Sequence, residues 1–201
     1  MKTLLVLYPA VFKAYSKFER KLSRITSNMD DFQIITPEDY NGFAEKFADT
    51  HVTKPNFVEA KDWLEYKPTH AVVFDDGEEF YDETNILKSR GIPLREIRIS
   101  ITRVVNIKTD PNFKGQIDTP TYSYIGRGSY WGNPYSMHEE NQSREEVIRK
   151  FKYDFDFEKF PYKDKAEVYE LAGKRLGCFC KPEACHGDVL ADFLNAWDDG
   201  K

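Results

Sequence analysis

Apolar positions along the 201-residue chain fall into short continuous blocks that alternate with spaced stripes. Thr3 to Tyr8 is a near-continuous apolar run, the pattern of a strand covered on both faces. Val11, Tyr15, Phe18, Leu22 and Ile25 then recur at spacings of four and three, which predicts an amphipathic helix. Phe32 to Ile35 predicts a second strand. Phe43 with Phe47, and then Trp63 with Leu64, predict short helical pieces separated by Pro55 and closed by Pro68. His70 to Phe74 predicts a strand running into the turn residues Asp75, Asp76 and Gly77, followed by a helix over Phe80 to Ser89 that Gly91 and Pro93 stop. Leu94 begins another strand.

Ile97, Ile99 and Ile101 alternate with Arg98, Ser100 and Thr102, and the apolar Val104 to Ile107 segment follows, which predicts one long or bent strand linking two halves. A boundary near Ser100 gives domains 1–100 and 101–201. Pro111, Gly115 and Pro120 make a loop ahead of Tyr122 to Ile125. Ser143 and Glu146 form a capping box, so a helix starts there with Val147, Ile148, Phe151 and Phe155 on its buried face. A further helix through Val168 and Leu171 ends at Gly173, Arg175 to Cys180 predicts a strand, and Val189, Leu190, Phe193, Leu194 and Trp197 define the last helix. Strands alternating with helices predict an α/β fold: a Rossmann-like, mainly parallel sheet with flanking helices, then a smaller α/β domain. Such sheets receive ligands at the carboxyl ends of their strands.

Charge narrows the function classes. Lys and Arg total 29 against 34 Asp and Glu, a net charge of −5, which argues against a protein that coats nucleic acid by bulk electrostatics. The first apolar run is too short for a signal peptide and no later stretch has membrane-spanning length, so no membrane partner is expected. The three cysteines cluster between Cys178 and Cys185, which suits a reducing compartment and gives a cytoplasmic expectation. A homo-oligomer is compatible with all of this.

Two segments carry the candidate chemistry. Gly126-Arg127-Gly128-Ser129-Tyr130-Trp131-Gly132-Asn133-Pro134 lets backbone approach a ligand while Arg127 offers a bidentate fork to phosphate or carboxylate. Arg127 and Ser129 are expected to hold an anion, Trp131 to stack on a base or sugar, and Asn133 to read a polar edge. The alternative is a tight turn with Trp131 as a core plug. In the second segment Cys185-His186-Gly187-Asp188 opens the last helix, whose unpaired amides favour an anion and lower a thiol's pKa. Cys185 is therefore a candidate nucleophile with His186 and Asp188 as nearby acid or base, and Cys180 is a candidate ligand contact. The same cysteines also suit small buried hydrophobes, with Asp188 complementing the helix dipole. A zinc set from Cys178, Cys180, Cys185 and His186 matches in number, although Cys-x-Cys and adjacent Cys-His depart from the usual spacings. Asp75 and Asp76, at a strand end, suit a ribose hydroxyl or a turn alone.

The ordered motifs Val104-Val105-Asn106, Tyr124-Ile125-Gly126-Arg127, Gly132-Asn133-Pro134-Tyr135, Ser143-Arg144-Glu145-Glu146, Gly173 to Pro182 and Cys185 to Leu190 resemble the domain of unknown function family 4326, over Val104 to Trp197. That resemblance implies a domain and no reaction. The first half resembles the SLOG superfamily of Rossmann-like nucleotide-binding domains through His70 to Gly77, Thr84 and Arg90-Gly91-Ile92-Pro93. Some SLOG relatives bind nucleotides or cleave their N-glycosidic bonds. This chain departs from them in having Tyr8-Pro9-Ala10 after the first strand in place of a glycine-bearing turn. The expectation is a nucleotide-handling enzyme of hydrolase or glycosyl-transfer type, acting on a small nucleotide-like ligand and with no cofactor assigned. The alternatives are a non-catalytic sensor or sequestering protein, such as serves in conflict between virus and host, and a zinc-stabilised interaction module.

Overall fold

The computed structural model describes residues 1–113, 115, 118–137 and 142–201. The chain forms two compact units, Met1–Ile99 with Ala196–Lys201, and Ser100–Asn195.

The first unit is a five-stranded sheet in which every pair is parallel: β1 (Lys2–Leu7), β2 (Phe32–Thr36), β3 (Asn56–Glu59), β4 (His70–Asp75) and β5 (Leu94–Arg98), ordered β3-β2-β1-β4-β5. β1 is central, and Leu4, Leu5, Val6 and Leu7 are all buried because both faces of the sheet are covered. Helices α1 (Tyr15–Thr26), α2 (Phe43–Thr50) and α3 (Tyr81–Ser89) supply that cover. The stripe expected from Val11 to Ile25 buries Phe18 and Leu22, and the Phe18 ring stacks on Phe74 of β4 at 4.9 Å. Helix α1 also holds the chain's last residues, through Lys17 Nζ to Asp199 at 2.7 Å and Arg20 Nη2 to Asp198 at 2.7 Å.

The second unit has a smaller parallel sheet of β6 (Arg103–Asn106), β7 (Tyr122–Tyr124) and β8 (Arg175–Cys178), ordered β6-β8-β7. It packs with α4 (Arg144–Asp156), a 3₁₀ helix over Lys165–Leu171 and α5 (His186–Asn195). Its core gathers Ile125, Trp131, Phe151, Phe155, Leu176, Leu190 and Leu194 among others. Ser143 caps α4 as expected: its hydroxyl accepts from Glu146 N at 3.2 Å, and the Glu146 carboxylate accepts from Ser143 N at 2.9 Å.

The run expected to be one strand from Ile97 to Ile107 is two. β5 ends at Arg98 and β6 begins at Arg103. Between them the buried Asn195 side chain replaces strand pairing at Thr102, accepting from its N–H at 2.8 Å and donating to its carbonyl at 3.0 Å. Ile99 and Ile101 stay buried although neither lies in a strand, which is why their alternation mimics one. No helix among the described residues is long and apolar enough to cross a membrane.

Candidate functional site

Each parallel sheet carries a cavity at the carboxyl ends of its strands. In the second unit β7 and β8 are neighbours, so the chain leaving each emerges at the same edge. The glycine-arginine loop follows β7 and the cysteine loop follows β8, and together with α4 they line one cavity of about 210 Å³. Its walls are Gly126, Arg127, Asn133, Tyr135 and Met137 from the first stretch, Arg144, Val147 and Ile148 from α4, and Cys178, Phe179, Cys180, Ala184, Cys185 and His186 from the second.

The sulfur atoms form the floor's chemistry. Cys178 is buried at the end of β8, Cys180 is half-buried in the loop, and Cys185 is buried just before α5, with all three thiols free. Their Sγ atoms lie within 4.8 Å of one another, with Cys178 and Cys180 at 3.5 Å. The Cys185 thiol donates to Cys178, which together with the neighbouring His186 holds the Cys178 thiol far below its usual value. The same hydrogen bond, joined by burial, pushes Cys185 up. Burial raises Cys180 as well. The position of Cys185 before α5 therefore acts on its thiol together with burial and two neighbouring sulfurs.

His186 is buried, and its pKa is lowered by that burial. Nε2 lies 2.9 Å from the Ile125 carbonyl oxygen, which can only accept, so Nε2 carries the proton and Nδ1 presents a lone pair 3.7 Å from Cys185 Sγ. Asp188 does not line the cavity. Its carboxylate accepts from Cys185 N at 2.9 Å, the reciprocal bond of a helix start, and pairs with Lys181 at 2.6 Å. The catalytic role expected of Asp188 is thereby corrected to a capping one.

The glycine loop divides in the same way. Gly126 and Arg127 face the cavity, and Arg127 Nη2 donates to Ser136 Oγ at 3.2 Å. Gly128, with φ +85°, and Ser129, whose hydroxyl donates to Gly126 O at 2.8 Å, build the turn and do not line the cavity. Trp131 is only 6% exposed and packs edge-on against Phe155 with centroids 6.1 Å apart, so the expected stacking ring is a core residue. Asn133 reaches the cavity wall, but its amide donates to Val147 O at 3.2 Å and accepts from Tyr135 N at 3.0 Å. Both ends of its amide are thus engaged, the nitrogen holding the loop on α4 and the oxygen closing a turn within the loop.

Arg144 was legible only as part of the capping box. It stands on the face of α4 that Val147 and Ile148 share, three and four residues on, and that spacing was the available signal. Its Nη1 donates to Ala184 O at 3.1 Å, which ties α4 to the cysteine loop.

In the first unit a second cavity, about 200 Å³, opens where the strand order reverses, lined by Leu7 and Tyr8 after β1, Thr36 to Glu38 and Tyr40 after β2, Lys61 after β3, and Phe80 and Glu83 at the start of α3. Tyr8 is buried and bonded to Asp39, and both effects raise its pKa. Asp75 and Asp76 do not line it. Asp75 accepts from Gly77 N at 2.8 Å and pairs with Arg98 at 3.3 Å, and Asp76 accepts from Glu78 N at 3.1 Å, so both are turn residues. Of the two readings open for them, the turn is the one their contacts fit, and the strand-end carboxylate on this cavity's wall is Glu38, after β2.

A parallel five-stranded sheet with helices on its faces and a cavity at its reversal point is a Rossmann-like architecture. The chain belongs to the Minimal SLOG domain family, whose model matches residues 1–105, and residues 105–196 match the domain of unknown function DUF4326. It is 40% identical over 96 residues, 47% of this chain and 79% of the relative, to the uncharacterized 12.4 kDa protein in the nrdA-td intergenic region of Enterobacteria phage T4. No solved structure matches the chain.

Proposed function

We propose that the protein handles a nucleotide-derived small molecule, as an enzyme of hydrolase or glycosyl-transfer type, with the reacting bond held in the cavity of the second unit. The observation that carries this reading is the composition of that cavity, in which Arg127 and Arg144 stand with a sulfur and imidazole cluster around one space. Guanidinium groups favour an anionic group such as phosphate, and the apolar wall of Tyr135, Met137, Val147 and Ile148 favours a sugar or base face. At about 210 Å³ the space suits a phosphoribosyl portion better than an entire dinucleotide. Membership of a SLOG family supports a nucleotide-related ligand, as does the strand-end cavity of the first unit with Glu38 and Lys61 on its rim.

The test is incubation of the full chain with a panel of nucleotides and nucleotide sugars, followed by mass spectrometry of both bound and free ligand. A product that depends on Arg127 supports the reading. Recovery of an unaltered, tightly held nucleotide would assign a sequestering role instead, and no binding at all would end both.

A further inference from the structure

The sulfur cluster has the composition and the support of a metal site. Tetrahedral zinc with Zn–S distances of about 2.3 Å sets sulfur atoms about 3.8 Å apart. Cys178 and Cys180 stand at 3.5 Å, and all three Sγ atoms lie within 4.8 Å of one another, so one ion between them needs side-chain adjustments of about 1 Å. A zinc-bound nitrogen and sulfur stand about 3.6 Å apart, and His186 Nδ1 is 3.7 Å from Cys185 Sγ. The imidazole is oriented as metal ligands usually are, with the opposite nitrogen donating to a backbone carbonyl, here Ile125 O.

The loop between Cys180 and Cys185 is also held from outside the cluster. Asn106 donates to the Lys181 carbonyl, Arg144 to the Ala184 carbonyl at 3.1 Å, and Asp188 accepts from Cys185 N at 2.9 Å. Packing alone asks for no such convergence. A strand end, a loop and a helix start each direct a thiol to one centre.

We propose that Cys178, Cys180, Cys185 and His186 bind one zinc ion, as three thiolates and the imidazole Nδ1. The three S–H protons go to solvent as the metal–sulfur bonds form, so no oxidant or further reactant is needed. The unusual Cys-x-Cys and Cys-His spacings follow from the ligands arising at a strand end and a helix start rather than in a zinc-finger turn. With the ion in place the cysteines are ligands and not nucleophiles, and the wall they form in the cavity is pinned. The site shares a wall with the proposed ligand cavity but is tested separately from it, because metal content is measured with no nucleotide present.

The experiment is elemental analysis of the full chain purified without chelator, together with cobalt substitution. The expected result is one zinc per chain, and a cobalt form with thiolate charge-transfer absorption and tetrahedral ligand-field bands. Cys180→Ser, at the half-exposed position and with circular dichroism unchanged, should lose more affinity than the roughly 10–100-fold that changes outside the ligand shell cost. His186→Gln should weaken binding yet keep the charge-transfer band. Protein that takes up no zinc while all three thiols react with a thiol reagent overturns the site. So does undiminished binding by Cys180→Ser. Full-affinity binding by His186→Gln overturns the fourth ligand.

Discussion

Replacing Trp131 with alanine separates the two roles that a tryptophan in a glycine-rich loop can have. The ring is 6% exposed, lies edge-on to Phe155 at 6.1 Å and to Tyr130 at 5.2 Å, and belongs to the cluster that includes Ile125, Phe151 and Leu190. Truncating a buried ring of this size costs about 3–5 kcal/mol, through lost transfer energy and the cavity left behind. Against a total of roughly 5–15 kcal/mol for a domain, that is a large share of the stability. Trp131→Phe keeps one ring in the same space and should cost roughly 1–2 kcal/mol as a partial truncation. The assay is urea denaturation followed by far-ultraviolet circular dichroism, with midpoint shifts compared at constant slope. A Trp131→Ala protein within about 1 kcal/mol of wild type, far below the range for a buried ring, would refute the core assignment and return Trp131 to the role of a stacking platform.

Further outcomes follow from other buried contacts. Asn195→Leu orphans the N–H and carbonyl of buried Thr102, and at about 1–3 kcal/mol per unsatisfied group it should destabilise by roughly 2–6 kcal/mol, read by the same titration. Ser143→Ala removes the capping hydroxyl of α4 and should cost about 1 kcal/mol, with amide exchange accelerated first at the start of that helix. His51 accepts from Thr53 N at 3.2 Å through Nδ1, and burial lowers its pKa below the ordinary 6.5. The unfolded chain therefore binds the extra proton first, so this contribution is intact above about pH 6.5 and is lost as pH falls below it. His51→Gln should flatten the wild-type decline in stability between about pH 7.5 and about pH 5.5, and an unchanged decline would show that other groups cause it.

Those parts of the fold that rest on repeated local signals were legible in the sequence. The continuous run at β1 and the spacing of Phe18 and Leu22 reflect burial within a covered sheet, and the Ser143 to Glu146 box depends only on four adjacent residues. β3 was not legible, because an edge strand of four residues with only partial burial shows neither alternation nor a full apolar run. The 3₁₀ helix Lys165–Leu171 passed for an ordinary helix because Val168 and Leu171 are buried at a spacing of three, which both helix types share.

The candidate site divides along the same line. That the two segments carry Arg127, Cys180, Cys185 and His186 to one cavity depends on their following adjacent strands, an arrangement the α/β pattern suggests. Which side chains face inward depends on tertiary contacts that spacing cannot encode. Asp188 is drawn away by Lys181 and the Cys185 amide, and Trp131 by Phe155. Arg144 reaches the cavity because it stands one turn before Val147 and Ile148 on α4, a placement its capping-box neighbours mask in the sequence.

The central claim is that Arg127 receives the anionic group of a nucleotide-derived ligand beside the sulfur and imidazole cluster. Its most direct measurement is calorimetric titration of wild type and Arg127→Ala with whichever nucleotide the mass-spectrometric panel retains. Loss of one charge-assisted hydrogen bond, about 1.5–3 kcal/mol, predicts a dissociation constant raised roughly 10–150-fold, and Arg127→Lys should recover part of it. An Arg127→Ala protein that stays folded and binds that nucleotide as tightly as wild type would contradict the account.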